Sequence, residues 1–264
     1  MRIARLLIAL AGFVVVHASA VSAQDTGFLN RSVSVDGAEY RYQVYVPREF
    51  RASHALPVIL ALHGGGQYGK DGLLQTDVGL AQAIRRHVER IPAIVVFPQS
   101  QPGGTPGFQA LGGRLALAAL DKSIAEFNAD RTRVYVTGFS MGGNGAWYLA
   151  FHHADRFAAL VVVCGFVDAF TGTTSGVRYP PIVPGVSDPY GVIAQRVSKL
   201  PLWILHGDAD QTVSVEQSRR MAAALAKVGA DMRYTELPGV PHNAWDPAYE
   251  RADLFTWLFQ QKRR

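Results

Sequence analysis

Five short runs of nearly unbroken apolar residues recur along the chain, at residues 57–62, 93–97, 133–137, 159–163 and 202–205, each ending in a turn. Strands buried on both faces read this way, because neither side of the pleat meets water. A further strand is expected at 231–237. Ahead of these runs, residues 32–35 and 40–46 alternate polar and apolar positions around Asp36-Gly37, which predicts an antiparallel hairpin. Helical periodicity falls between the strands, at 74–90, 111–128, 143–153, 216–228 and 249–262. Strand and helix alternate, so the expected class is α/β: a mostly parallel sheet with helices on both faces and an N-terminal antiparallel hairpin. Residues 165–198, rich in Gly, Pro, Thr and aromatics, break that alternation and are long enough to predict a lid or binding loop.

The first residues follow a different pattern. Arg2 and Arg5 precede an apolar run at 6–16, and small residues lead to Val21-Ser22-Ala23. This predicts a secretory signal at 1–23, cleaved after Ala23 and leaving 24–264 as one exported domain. The run is shorter than the roughly 20 residues a spanning helix needs, and no other stretch qualifies. No cysteine follows the signal to carry a lipid. The single cysteine, Cys164, sits in an apolar run and reads as a small buried hydrophobe. The formal charge of +5 falls to about +3 without Arg2 and Arg5, an excess too diffuse to imply nucleic acid.

The sharpest chemical signal is Gly138-Phe139-Ser140-Met141-Gly142, set between an expected strand and an expected helix. A nucleophile elbow needs that setting: a tight, strained turn presents the serine hydroxyl, and flanking glycines remove side chains that would clash. A glycine-rich turn whose serine merely caps the helix is the alternative; the strand before and helix after favour the elbow. The turn also places Ser140 at a helix N-terminus, where free amides favour developing negative charge. A second strand opens into His63-Gly64-Gly65-Gly66. Its backbone can aim an amide at a substrate oxygen, so Gly65, with Gly66 next in line, joins Met141 as a candidate oxyanion donor. No phosphate-loop Lys follows, and His63 is expected to steady the loop.

Two further loops complete the pattern. His206-Gly207-Asp208-Ala209-Asp210 ends a strand, and either aspartate can accept from an imidazole; spacing alone does not choose between them. His242 lies in a loop after the last strand, where a histidine can act as a base. The order Ser140, aspartate, His242 is the one expected when such a triad is built on an α/β-hydrolase sheet. No zinc-binding spacing appears, and no metal or cofactor is expected.

With these motifs, the chain resembles the α/β-hydrolase superfamily, and within it the small secreted carboxylesterases grouped with polyhydroxybutyrate depolymerases, feruloyl esterases and "predicted peptidases". The likeness runs through residues 62–66, 130–143, 206–213 and 242–245. In that family the acid follows His-Gly by three positions, which implies Asp210 rather than Asp208. The implied activity is ester cleavage through an acyl-enzyme on Ser140, with a small-molecule or polymeric ester as partner. Phe166, Phe170, Tyr179 and Tyr190, with Phe108 and Trp245 behind them, are the candidate pocket aromatics. Two alternatives stand beside it. A secreted serine peptidase would use the same triad, although related oligopeptidases carry a second gating domain for which this chain has no room. A non-catalytic binding protein would keep the fold but lack a triad member.

Overall fold

The computed structural model describes residues 25–172 and 176–263; the predicted signal at 1–23 lies outside the described residues. Asp36 and Gly37 both take positive φ, 52° and 79°, as a tight two-residue hairpin turn requires. They join β1 (Gly27–Val35) to β2 (Ala38–Val46), paired antiparallel along their whole length. The apolar runs become β3 (Val58–Leu62), β4 (Ile94–Pro98), β5 (Val134–Phe139) and β6 (Ala159–Val163). A separate ribbon of β7 (Phe170–Thr171) and β8 (Arg178–Tyr179) follows, then β9 (Leu202–Gly207) and β10 (Met232–Leu237). Among the described residues the main sheet has the order β1-β2-β4-β3-β5-β6-β9-β10. β2 meets β4 antiparallel, and every pairing from β4 to β10 is parallel.

Alternation along each strand splits the interior into two cores. Ile59 and Ala61 of β3 go to one face, packing with α1 (Leu80–Arg86). Val58, Leu60 and Leu62 go to the other, with α2 (Ala110–Glu126), α3 (Met141–His153), α4 (Pro189–Val197) and α5 (Glu216–Lys227). The first core is closed by α6 (Trp245–Tyr249) and α7 (Ala252–Gln260). Burial on both faces explains the continuous apolar runs, and each Val, Leu or Ile so buried contributes roughly 1.5–3 kcal/mol.

Three expected elements differ in detail. The helix predicted at 74–90 is broken: a 3-10 turn at Leu74–Thr76 precedes α1, and another at Val88–Arg90 follows it. Gly79 turns the chain between them at φ 70°, and a Cβ there would lie 2.8 Å from the Phe139 ring. The helix predicted at 249–262 divides at Arg251, whose backbone is extended. Beside that break Glu250 accepts from Arg86 Nε at 2.6 Å and lies 2.7 Å from His87 Nε2, tying the chain to α1. Residues 165–198 are only partly loop. Asp188 accepts from Gly191 N at 2.9 Å, Pro189 starts α4, and Ile193, Ala194 and Val197 are core residues. Capping and an apolar face make this stretch a core helix.

Candidate active site

The candidate residues converge at the carboxyl ends of the parallel strands. Ser140 follows β5 directly, with φ 53° and ψ −120°, a strained backbone for a residue with a side chain. The turn closes because its glycines let backbone meet backbone. A Cβ on Gly138 would lie 2.1 Å from Gly142 O, and one on Gly142 would lie 2.1 Å from Leu62 O. As the first residues of α3 and of the 3-10 turn Gly65–Gln67, Met141 and Gly65 have amides with no acceptor inside their own elements. Both line the same cavity as Ser140.

Ser140 Oγ lies 2.9 Å from His242 Nε2, and His242 Nδ1 lies 2.7 Å from Asp210 Oδ2. An ionised carboxylate only accepts, so the proton sits on Nδ1 and Nε2 is left to accept from the serine hydroxyl. The Asp210 side chain is fully buried. Burial pushes its carboxyl up, but hydrogen bonds from His206 and His242, the charge of His242 and the Val213 amide outweigh that and hold it far below the usual range. Its Oδ1 accepts from Thr212 N at 2.8 Å and Val213 N at 2.9 Å. Asp208, the rival carboxylate, points elsewhere: its Oδ1 accepts from Gly239 N at 2.7 Å and ties the β9 turn to the His242 loop.

His63 is buried under the glycine loop. Its Nδ1 donates to Gly64 O at 2.7 Å and its Nε2 accepts from Ser100 N at 2.9 Å. Burial lowers its pKa to about 4, against the opposing pull of Gly64 O, so near neutrality it is an uncharged brace between two loops. On α3, Asn144 is fully buried. It donates to Phe166 O at 3.0 Å and accepts from Gln109 Nε2 at 3.1 Å, fastening the start of the 165–187 segment to the helix that carries Ser140.

The cavity over Ser140 has a volume of about 450 Å³ and is walled by Tyr68, Phe139, Phe166, Phe170, Tyr179 and Trp245. A neighbouring cavity of about 430 Å³ shares Tyr68 and Val177 with it. Of the aromatics named from sequence, Phe166, Phe170, Tyr179 and Trp245 reach the site. Phe108 instead packs against the His63 ring, with centroids 5.0 Å apart. Tyr190 lies away on α4, where its hydroxyl donates to Gln217 Oε1 at 2.7 Å. Tyr68 and Val78 line the cavity without any sequence signal. They sit in irregular loops, where position follows from tertiary contacts.

Cys164 Sγ, an Asp210 oxygen and a His242 nitrogen lie within 4.8 Å of one another. The thiol already approaches His242 O at 3.5 Å, and burial pushes its pKa well above the usual range. A metal would need the thiolate, so this donor set is a poor fit to one.

A serine on a strained strand-to-helix turn, at the carboxyl edge of a sheet in this order, defines an α/β-hydrolase. Residues 116–261 match the prolyl oligopeptidase family, and the chain belongs to it. A thermostable esterase superposes with a TM-score of 0.72 at 28% identity, over 89% of this chain and 63% of that one. A ferulic acid esterase from Anaeromyces mucronatus shares the fold at TM-score 0.65 and 17% identity, over 90% of each chain. An "Uncharacterized secreted protein" of Arthroderma benhamiae is 27% identical over 210 residues, 72% of this chain and 22% of that protein. The chain therefore spans under two thirds of the esterase and about a fifth of the fungal relative. Solved neighbours include peptidases as well as esterases. Hydrolysis is the activity those names share. Among the described residues no helix is long and apolar enough to cross a membrane.

Proposed function

We propose that this chain is an exported carboxylesterase-type serine hydrolase, with Ser140 as nucleophile, His242 as general base and acid, and Asp210 as the group that orients His242. The observation that carries the reading is the unbroken hydrogen-bonded series from Ser140 Oγ through His242 to Asp210 at the floor of an aromatic cavity. Ser140 attacks the ester carbonyl as His242 Nε2 takes its proton. The amides of Met141 and Gly65 receive the oxyanion, each worth roughly 3–4 kcal/mol. His242 then protonates the departing alcohol, and water repeats the sequence on the acyl-enzyme.

The aromatic walls suit an aromatic or apolar acyl group, and the adjoining cavity gives room for an extended substrate. The 28% identity to a thermostable esterase supports ester cleavage, and export is supported by the signal pattern and by a relative described as secreted. Membership of the prolyl oligopeptidase family favours a second reading, amide cleavage by the same residues. The two separate on a panel of p-nitrophenyl, feruloyl, polyhydroxyalkanoate and peptide-amide substrates, assayed with the wild type and Ser140→Ala. Ester turnover that drops about 10⁶-fold in kcat in the variant supports the proposal. Peptide turnover exceeding every ester favours the peptidase, and a folded wild type inert on the whole panel refutes both.

A further inference from the structure

The side chains of β9 alternate between the two cores, and His206 is its penultimate residue, followed by Gly207 and the turn that carries Asp210. It is fully buried. Its Nε2 faces two acceptors, Val213 O at 2.9 Å and Asp210 Oδ2 at 3.2 Å, so that nitrogen carries the proton. On the far side of the ring, Nδ1 lies 2.7 Å from Ser218 Oγ of α5 and accepts from that hydroxyl. The ring is thus held at both ends, with one N–H aimed between a main-chain carbonyl and the carboxylate. Asp210 Oδ2 consequently receives two imidazole N–H groups, from His242 on the cavity side and from His206 on the core side.

We infer that His206 is a positioning residue for the proposed hydrolysis: it fixes the plane of the Asp210 carboxylate and takes part of its negative charge, and so sets the basicity of His242. This rests on the serine-hydrolase reading above. A buried carboxylate rotates freely only if it abandons hydrogen bonds, and each lost bond leaves an unpaired polar group in the interior. With Oδ1 pinned by two amides and Oδ2 by two imidazoles, a single orientation satisfies all four donors. The sharing also has an electrostatic effect. A carboxylate that accepts from a second donor attracts an imidazolium less, so removing the His206 N–H should strengthen the hold of Asp210 on the protonated form of His242. Hydrogen bonding from His206 is indeed among the influences that hold the Asp210 carboxyl low.

Few other titratable groups face this pair among the described residues. Cys164, at the end of β6, lies against the His242 carbonyl with its thiol held protonated by burial. Glu236 stands opposite His206 in the β10 register, but its carboxylate is engaged by Arg219 and Tyr234. Asp208 is bound to Gly239 N, and Asp246, on α6, accepts from Asn243 Nδ2 at 3.3 Å. His206 is therefore the neighbour placed to act on Asp210 directly.

The test compares wild type, His206→Leu, His206→Gln and Ser218→Ala by kcat, KM, the pH profile of kcat/KM on a p-nitrophenyl ester, and thermal unfolding. His206→Leu should lose about tenfold or more in kcat with KM little changed, and its acid limb should move up by roughly 0.5–1 pH unit. His206→Gln carries an N–H near the Nε2 position and should recover most of both. Ser218→Ala frees the ring without removing it, and should move the limb in the same direction by less. Should the Leu variant fail to fold, the Gln and Ala variants decide alone. A folded His206→Leu, or Ser218→Ala, with an unmoved acid limb overturns the inference. A Leu variant that loses melting temperature and kcat together, with no shift of the limb and no rescue by Gln, also overturns it and leaves a purely structural role. Full ester activity in Ser140→Ala would instead sink the serine-hydrolase reading itself.

Discussion

His63 makes this protein acid-sensitive in a way that can be isolated. Its ring braces the glycine loop to Ser100, with Nε2 as acceptor. Protonation would set a second N–H against the Ser100 amide and break the brace. Burial lowers its pKa from 6.5 to about 4. The unfolded chain therefore binds a proton through a pH range in which the folded protein does not. The stability held in the neutral ring is complete above pH ~6.5, falls as pH drops, and stops falling once the folded ring also protonates near 4. A gap of about 2.5 units at 1.36 kcal/mol each gives about 3 kcal/mol. The ring is fully buried, so solvent screening does not reduce this figure. The comparison is His63→Gln, whose carboxamide can donate to Gly64 O and accept from Ser100 N without titrating. Urea unfolding at a series of pH values from 7.5 to 4 should show wild type losing about 3 kcal/mol more than the variant. Carboxylates common to both proteins cancel in the difference. Two profiles parallel to within ~0.5 kcal/mol would refute the reasoning, since they would mean His63 titrates alike folded and unfolded. In the folded protein the ring stays neutral until the pH nears 4, so hydrolytic activity should fade reversibly only there, as the loop carrying Gly65 loosens.

Asp210→Asn should lower kcat by about 10⁴ by favouring the wrong tautomer of His242, whereas Asp208→Asn keeps its acceptor for Gly239 N and should change kcat less than ~2-fold; equal losses in a steady-state assay would void the assignment of the acid. Gly142→Ala puts a Cβ 2.1 Å from Leu62 O, while one at Gly66 meets nothing within 4 Å. The first should destabilise by on the order of 3 kcal/mol and the second by well under 1, read as the difference in melting temperature. Burial keeps the Cys164 thiol protonated, so a maleimide or disulfide reagent at pH 8 should modify the native protein far more slowly than the urea-unfolded chain. Comparable rates would show that the cysteine is reachable.

Much of this architecture could be read along the chain because its causes are local. Continuous apolar runs mark strands buried on both sides, and Asp36-Gly37 marks the hairpin turn. The elbow was legible for the same reason, since Gly138 is required by a backbone contact with Gly142 inside the turn itself. The elements that sequence misjudged are those whose ends are set from outside. Nothing in the periodicity of 74–90 announces that Phe139 occupies the space beside Gly79. The apolar face of α4 was hidden among glycines and prolines, and only its packing between α3 and α5 makes it a core helix.

The candidate site divides along the same line. The residue types and their order, serine then aspartate then histidine, followed from motifs that each need only their own turn. Bringing Ser140 and His242 to 2.9 Å across 102 residues of chain requires the sheet, because only the parallel strands deliver β5, β9 and β10 to one edge. Asp208 and Asp210 are alike in composition and exposed to the same local rules; it was the position of the His242 loop over β9 that gave one a histidine and the other a glycine amide. His206 shows the limit most clearly. In sequence it is a strand residue, and only the fold places its proton on the far side of the carboxylate that His242 uses. Backbone conformation is decided by neighbours in the chain, whereas hydrogen bonds between side chains are decided by neighbours in space.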